Sequence, residues 1–364
     1  MKPQNHNQSL RLQSLDAFRG ITIAAMILVN VADLAPSVHP WLSHSYWNGC
    51  TLADWVFPFF LFIVGVSMAF SLSRYRQDHK PRRALYWRLL RRSVILFVLG
   101  LAINGFWTYE WGKFEISGVL QRISLSYIAT ALIVLKLPRK AQWGVTVLLL
   151  IGYAIAYAAF PVPEPKYVAN GMPHGEVGTF GFMSWVGMIN SIAIVLMGYF
   201  AGAWLHAEVE VKKLLSSYQS MTLVLFGICC MALGQIWNVW MPINKKLWTS
   251  SYAMFTVGIA LILLAVCFEL IEVRKYYRWS YPAKVLGLNS IFVYVSSSLM
   301  IKLLEKTHVG SDNSAQSTYN WLEEHLFLSW AEPTTAGFLF SLSTLAFWWL
   351  FAYYLYRKHW TLAI

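Results

Sequence analysis

Charge is scarce in this chain. Asp, Glu, Lys and Arg make up only 13% of its 364 residues, against roughly a quarter in a soluble domain, so the chain cannot clothe itself in a water-facing surface. Cysteine is scarcer still. Of the four present, Cys229, Cys230 and Cys267 fall inside long apolar stretches, which excludes a disulfide framework, and no pair has the spacing of a zinc site. There is no appended soluble stretch and no visible internal repeat. Residues 1–364 therefore read as a single domain.

What is abundant is apolar surface, with 57% hydrophobic and 16% aromatic residues. Runs of 18 or more such residues recur along nearly the whole length, each long enough to cross roughly 30 Å of hydrocarbon. The pattern predicts an all-α, polytopic membrane protein with ten spans, at about 15–34, 52–73, 86–106, 117–135, 141–160, 183–205, 217–240, 247–270, 283–303 and 334–356. The first stretch contains Asn30 and is followed by more spans, so it reads as an uncleaved first helix rather than a signal peptide.

Lys and Arg set the orientation. The N-terminal segment, the second, fourth, sixth and eighth loops and the C-terminal segment hold 22 of the 29 basic residues, and with ten spans all of these lie on one side. Both termini are expected in the cytoplasm, with 1–13 as a short cytoplasmic tail. The net charge of +12 is then accounted for by short loops facing an anionic leaflet, without nucleic acid. Two outer loops are long enough for work of their own. Residues 161–181 are rich in Pro and Gly, and residues 304–333 carry five acidic residues against Lys306; each reads either as a lid or acceptor site or as a solvated connector.

A charged side chain at mid-bilayer costs roughly 3 kcal/mol, so each needs a partner or a function. Asp16 and Arg19 sit three apart on one helical face, an arrangement that a local ion pair explains. Asn30, at the outer end of the same helix, is interhelical glue or chemistry. Asp54 and Arg122 begin the second and fourth spans at the same level. They form either an interhelical salt bridge or, with Gln121 beside it, an arginine presented to an anionic ligand. Lys245 and Lys246 in PINKKLWTSSY break the topology rule by lying outside. With Asn244 and Trp248 they suggest phosphate or sugar recognition. His44, on the outer side 10 residues before Asp54, is a solvated loop residue or a proton acceptor near neutral pH.

Six segments alter the balance. SLDAFRGITIAAMILVN, LSHSYWNGCTLADWVFPFFLFIVGVSMAFS, GVLQRISLSYI, GTFGFMSWVGMINSIAIVLMGYFAG, PINKKLWTSSY and LGLNSIFVYV closely resemble, in that order, the membrane region of the heparan-alpha-glucosaminide N-acetyltransferase family. The first also resembles the wider transmembrane acyltransferase group in its Leu-Asp, Arg-Gly opening. The resemblance implies acetyl transfer from acetyl-CoA to an amino sugar across a membrane. The family's catalytic histidine, which precedes Trp-Asn-Gly and an Asp-x-Val-Phe-Pro run, maps onto His44, and its asparagine at the end of the first span maps onto Asn30; Asp54 joins them as a catalytic residue. Asp16, Arg19, Gln121 and Arg122 become contacts of the donor. Trp47, Asn48 and Asn289 join Asn244, Lys245, Lys246 and Trp248 as acceptor contacts, with no metal.

Lysosomal members carry a luminal domain before the first span where this chain has a short polar tail, and bacterial relatives are linked to N-acetylglucosamine metabolism. A small amino sugar or cell-envelope glycan at a bacterial inner membrane is the resulting expectation. Its partners are acetyl-CoA, that acceptor, the bilayer and, as an open alternative, a second copy in a homodimer. His44 would serve either as base or as carrier of the acetyl group, with Asn30 beside the developing oxyanion. The rival reading is an amino-sugar permease in which His44 and Asp54 couple protons and Trp47, Trp55 and Trp248 stack on sugar. Neither an inverted repeat nor an interrupted helix, the marks of many transporters, is visible in the sequence.

Overall fold

A computed structural model describes residues 12–35, 37–77, 82–105, 118–160, 162, 179–212, 216–310 and 316–360. The tail at 1–11 and nearly all of the loop at 161–178 lie outside the described residues. Among the described residues thirteen helices follow one another: α1 (Gln13–Ala32), α2 (Leu52–Gln77), α3 (Arg82–Asn104), α4 (Val119–Lys136), α5 (Arg139–Ala159), α6 (Thr179–Val186), α7 (Met188–Lys212), α8 (Ser217–Trp237), α9 (Ser250–Phe268), α10 (Tyr281–Leu288), α11 (Ser290–Lys306), α12 (Thr318–Glu323) and α13 (Pro333–Arg357). The only strands among the described residues are the two-residue pair β1 (His308–Val309) and β2 (Gln316–Ser317), antiparallel.

Among the described residues eight helical segments are long and apolar enough to cross a membrane, and a ninth is the pair α10 and α11, bent by 80°. The tenth expected span, 86–106, does form a helix. Its first half, however, carries Arg82, Arg83, Arg88, Arg91 and Arg92, too many charges for hydrocarbon on composition alone. The span expected at 283–303 is interrupted: α10 stops at Leu288 and Asn289 leaves the helical region at φ −115°, ψ 33°. The sequence had shown no such interruption. Helix α9 starts later than expected, at Ser250, because residues 242–249 are taken up by an ordered loop.

Of segment 304–333, residues 304–310 and 316–333 are described. They include β1, β2, α12 and a short π-helical stretch, with Tyr319 buried and its hydroxyl donating to the Val31 carbonyl at 2.9 Å, and Phe327 packed on Phe340. They cap the end of α1 and the start of α13.

Helices pack without a hydrophobic driving force inside lipid, so close backbone approach carries the contact. At the α2–α7 crossing a Cβ on Gly65 would strike the Val195 carbonyl, and one on Gly198 the Phe62 carbonyl. Gly144, on the sparsely buried α5, has nothing within 4 Å. Gly65→Val is therefore expected to destabilise the bundle by at least about 1–3 kcal/mol, whereas Gly144→Ala is neutral or stabilising by up to about 1 kcal/mol. Thermal unfolding of the two variants in detergent, read against wild type, checks the contrast.

Candidate active site

The site begins with a helix start. Thr51 immediately precedes α2 and Asp54 occupies the third helical position, the spacing of a capping box. The Thr51 amide donates to Asp54 Oδ2 at 3.0 Å and the Thr51 hydroxyl to the same oxygen at 3.1 Å. A third donor is the amide of Ser45, at 3.1 Å. Asp54 has no solvent exposure, and its position at a helix N-terminus suits a negative charge. Gly49, at φ 105°, lets the chain fold back between Ser45 and Thr51, a conformation a side chain would resist.

The other carboxylate oxygen meets two basic side chains. His44 Nδ1 lies 2.8 Å from Asp54 Oδ1, and the ammonium of Lys245 lies 3.1 Å from that same oxygen. Lys245 Nζ is also 2.9 Å from His44 Nδ1 and 3.3 Å from Nε2. The His44 side chain remains 32% exposed and that of Lys245 24%, so the cluster opens to solvent on the imidazole side. Burial presses the Lys245 ammonium below its ordinary value, and the charge of Asp54 pushes it back up.

Lys245 is held by a loop that is nailed down at every turn. The Ile243 carbonyl accepts from the Gly49 amide at 2.8 Å, and Asn244 Nδ2 donates to Asn48 Oδ1 at 3.2 Å. Tyr153 and Asn190 donate to the carbonyls of Leu247 and Trp248, both at 2.7 Å. Trp248 sits at φ 58°, a strained conformation for a bulky residue. Its ring is enclosed by Phe57, Tyr252 and the guanidinium of Arg122, the last 4.4 Å from the ring centroid. Arg122 is buried, and its Nε and Nη1 have no hydrogen-bond partner. Lys246 lies over the rings of Tyr46 and Trp47 at 5.4 and 5.8 Å.

Below the cluster runs a cavity of about 290 Å³ between α1, α2, α3, α4 and α11. Its polar end is set by Arg19, Ser67, Ser71 and Arg92, and its apolar end by Met26, Phe60 and Val119. Phe60 is one turn from Phe57, and Val119 one turn from Arg122, so the apolar end is the one toward the His44 site. The distance spanned along α2, from Ser71 to Phe60, is roughly 16 Å.

A family model described as heparan-alpha-glucosaminide N-acetyltransferase, catalytic, matches residues 11–242. That is more than half of the chain. The chain belongs to this family. It is 25% identical to the heparan-alpha-glucosaminide N-acetyltransferase of Homo sapiens, over 96% of this chain and 59% of that protein, and 26% identical to that of Mus musculus, over 98% and 61%. The chain thus spans about three fifths of the length of the curated relatives it matches. The region matched by the heparan-alpha-glucosaminide N-acetyltransferase model contains His44, Asp54 and Arg122, while Lys245 and Trp248 lie just beyond it.

Of the residues singled out in the sequence, His44, Trp47, Asn48, Asp54, Asn244, Lys245, Lys246, Trp248 and Arg122 converge at one end of the bundle. The salt bridge between Asp54 and Arg122 does not exist: Lys245 takes that place, and Arg122 stacks on Trp248 instead. Gln121 points away from Arg122, toward Gly100 and Gly118, since adjacent helical residues diverge by about 100°. Asn30 is half-buried near the end of α1 and is not among the hydrogen-bond partners of His44. Asp16 and Arg19 pair at 3.4 Å, and Arg19 also donates to Ser67 Oγ at 2.8 Å. Asn289 is a correction. It is buried beside Asp16, with its amide donating to the Trp360 carbonyl at 3.1 Å, near the first turns of α1 and so roughly 30 Å of helix away from His44.

Three contributors escaped the sequence reading: Arg92 at the cavity's polar end, Asn190, and Tyr252, whose hydroxyl donates to the Asp54 carbonyl at 2.6 Å. Tyr252 lay in a quoted motif, and Thr51 could have been found from its capping-box spacing. Cys50 adjoins the cluster. Burial, and then the charge of Asp54, push its thiol up to about 12, so at pH 8 almost none is thiolate. Alkylation of Cys50 by iodoacetamide at pH 8 is expected to be roughly a hundredfold slower than that of an unperturbed thiol, and faster in Asp54→Asn, which removes one cause of the shift. Peptide mass spectrometry of the labelled protein measures both.

Proposed function

We propose that this protein is a membrane-embedded N-acetyltransferase that moves an acetyl group from acetyl-CoA to the amine of a small amino sugar or glycan, with His44 as its base. The observation that carries the reading is the placement of a solvent-accessible imidazole, fixed through Nδ1 by a buried carboxylate, directly beyond the apolar end of a cavity whose other end is polar and cationic. With Nδ1–H given to Asp54, Nε2 carries the lone pair, beside the Lys245 ammonium at 3.3 Å. The acceptor nitrogen bonds to the thioester carbonyl carbon and its proton passes to Nε2. The carbon–sulfur bond then breaks, and the departing thiolate takes the proton back from the imidazolium.

The cavity suits the donor in kind. Its apolar stretch matches a pantetheine arm, and Arg19 and Arg92 match the phosphates that must stay near water. Arg122, with two unpartnered N–H groups at the far end, supplies a donor to an oxygen of the acyl or pantetheine group. On the acceptor side Tyr46, Trp47 and Lys246 offer rings and a charge for a sugar. The basic loops support an orientation with both termini and the Arg19–Arg92 end in the cytoplasm and His44 outward, as in a bacterial inner membrane.

The interrupted span α10–α11 favours one rival, an amino-sugar permease, because broken helices often line transport sites and Leu288, Ser290 and Ile291 line this cavity. Two measurements on purified protein in liposomes separate the readings. Acetylated product from glucosamine and acetyl-CoA is expected in wild type, and His44→Ala should lower its rate by at least about 10²-fold while acetyl-CoA binding persists. Uptake of unmodified sugar without acetylation would instead establish the permease. Arg122→Leu should weaken acetyl-CoA binding roughly tenfold or more; unchanged affinity in a folded variant removes Arg122 from the donor site.

A further inference from the structure

Asp54 Oδ1 is asked to serve two bases at once. His44 Nδ1 stands at 2.8 Å and Lys245 Nζ at 3.1 Å from it, and those two nitrogens are 2.9 Å apart. One carboxylate can balance one cation. If His44 and Lys245 were both protonated, a half-buried cluster would carry a net positive charge, with two like charges about 3 Å apart. If Lys245 alone is charged, the pair Asp54–Lys245 is neutral, and Nδ1–H still donates to Oδ1. The Lys245 ammonium lies within hydrogen-bond distance of both ring nitrogens, so a neutral imidazole has a donor for its lone pair in either tautomer.

We infer that Lys245 is a positioning residue for His44: by holding the charge of Asp54 it keeps the imidazole in its neutral form, with one ring nitrogen left as a lone pair. This gives Lys245 a task different from binding acceptor, and it rests on the reading of His44 as the base. The other ionisable groups around the cluster do not take over this task. Cys50, from the loop before α2, is a protonated thiol. Asp33, beyond the end of α1, acts on Lys245 as a second, more distant negative charge. Tyr252, from α9, spends its hydroxyl on the Asp54 carbonyl. Arg122, from α4, is committed to the Trp248 ring, and Lys246 faces Tyr46 and Trp47.

The test needs no acetyl transfer. Diethyl pyrocarbonate modifies neutral imidazole, and His44 is exposed enough to react. The rate of its modification in the full-length protein, located by mass spectrometry and followed against pH, gives the midpoint of His44 protonation. In Lys245→Met the carboxylate is freed to pair with a protonated imidazole, which raises the midpoint. The expected rise is at least about one pH unit, which makes modification about tenfold slower at pH values below both midpoints. Lys245→Arg, which retains the charge, should stay near wild type. Where acetyl transfer is measurable, the acid limb of its pH profile should move with the midpoint in Lys245→Met, and activity lost at neutral pH should return at higher pH. Should Lys245→Met fail to fold, Lys245→Gln removes the same charge with a polar group in its place. An unmoved midpoint in the neutral variants overturns the inference, and so does a midpoint that moves equally in Lys245→Arg. A protein that transfers no acetyl group but shows the shift would sink the proposed reaction and leave the inference standing.

Discussion

Asp54 is the constraint on which the outer end of this protein is built. A carboxylate with no solvent exposure is tolerable only when its charge is balanced and its lone pairs are filled. Three local donors, from Ser45 and Thr51, fill Oδ2, which ties the loop before α2 to that helix's first turn. The remaining oxygen must look outward, and it finds His44 from the same loop and Lys245 from two hundred residues away. The carboxylate thereby joins chain-distant segments at one point, and the His44 imidazole inherits its orientation from that junction.

A junction of this kind would be loose if the 242–249 loop were free to move. It is not, because buried groups on two helices and one hydroxyl of the loop itself serve its backbone. Tyr153 of α5, Asn190 of α7 and Thr249 at the start of α9 satisfy its carbonyls, and the strained Trp248 is enclosed by rings and a guanidinium. A positive φ at a bulky residue costs of order 1–2 kcal/mol and survives only where the surroundings over-determine it. Here they set Lys245 facing the carboxylate and Lys246, one residue on, facing Tyr46 and Trp47.

Much of this was legible as sequence, and the limits have physical reasons. Apolar length identified the helices because hydrocarbon thickness admits few alternatives. His44 and Asp54 stood out because polar residues at the lip of an apolar run are costly, and Lys245 because it sat on the wrong side for a lysine. What could not be read was pairing. Asp54 had Arg122 and Lys245 at similar depth, and only the docking of the 242–249 loop decides between them. Depth itself misled at Asn289. Membership of a shared motif says nothing of position along the bundle normal, and the break between α10 and α11 buries that asparagine beside Asp16 instead. The 304–333 segment was opaque for a related reason, since its folding depends on contacts with α1 and α13 that no local pattern announces.

The distribution of polar cost along the bundle also explains how the His44 cluster and an arginine-lined end coexist in one helical bundle. Arg19 and Arg92 lie at one end of the cavity, and Arg122 and the His44 cluster lie past the other, with an apolar stretch between them. Both ends are cationic, so neither can serve as the other's counter-ion, and the apolar stretch of roughly 16 Å between them limits their mutual repulsion. Arg122 is thus left with a π face rather than a carboxylate as its partner, and with two N–H groups to spare. A salt bridge to Asp54 would have satisfied it and closed the floor of the site. The choice of Lys245 as the partner of Asp54 is what leaves that floor cationic, with guanidinium N–H groups that no acceptor among the described residues fills.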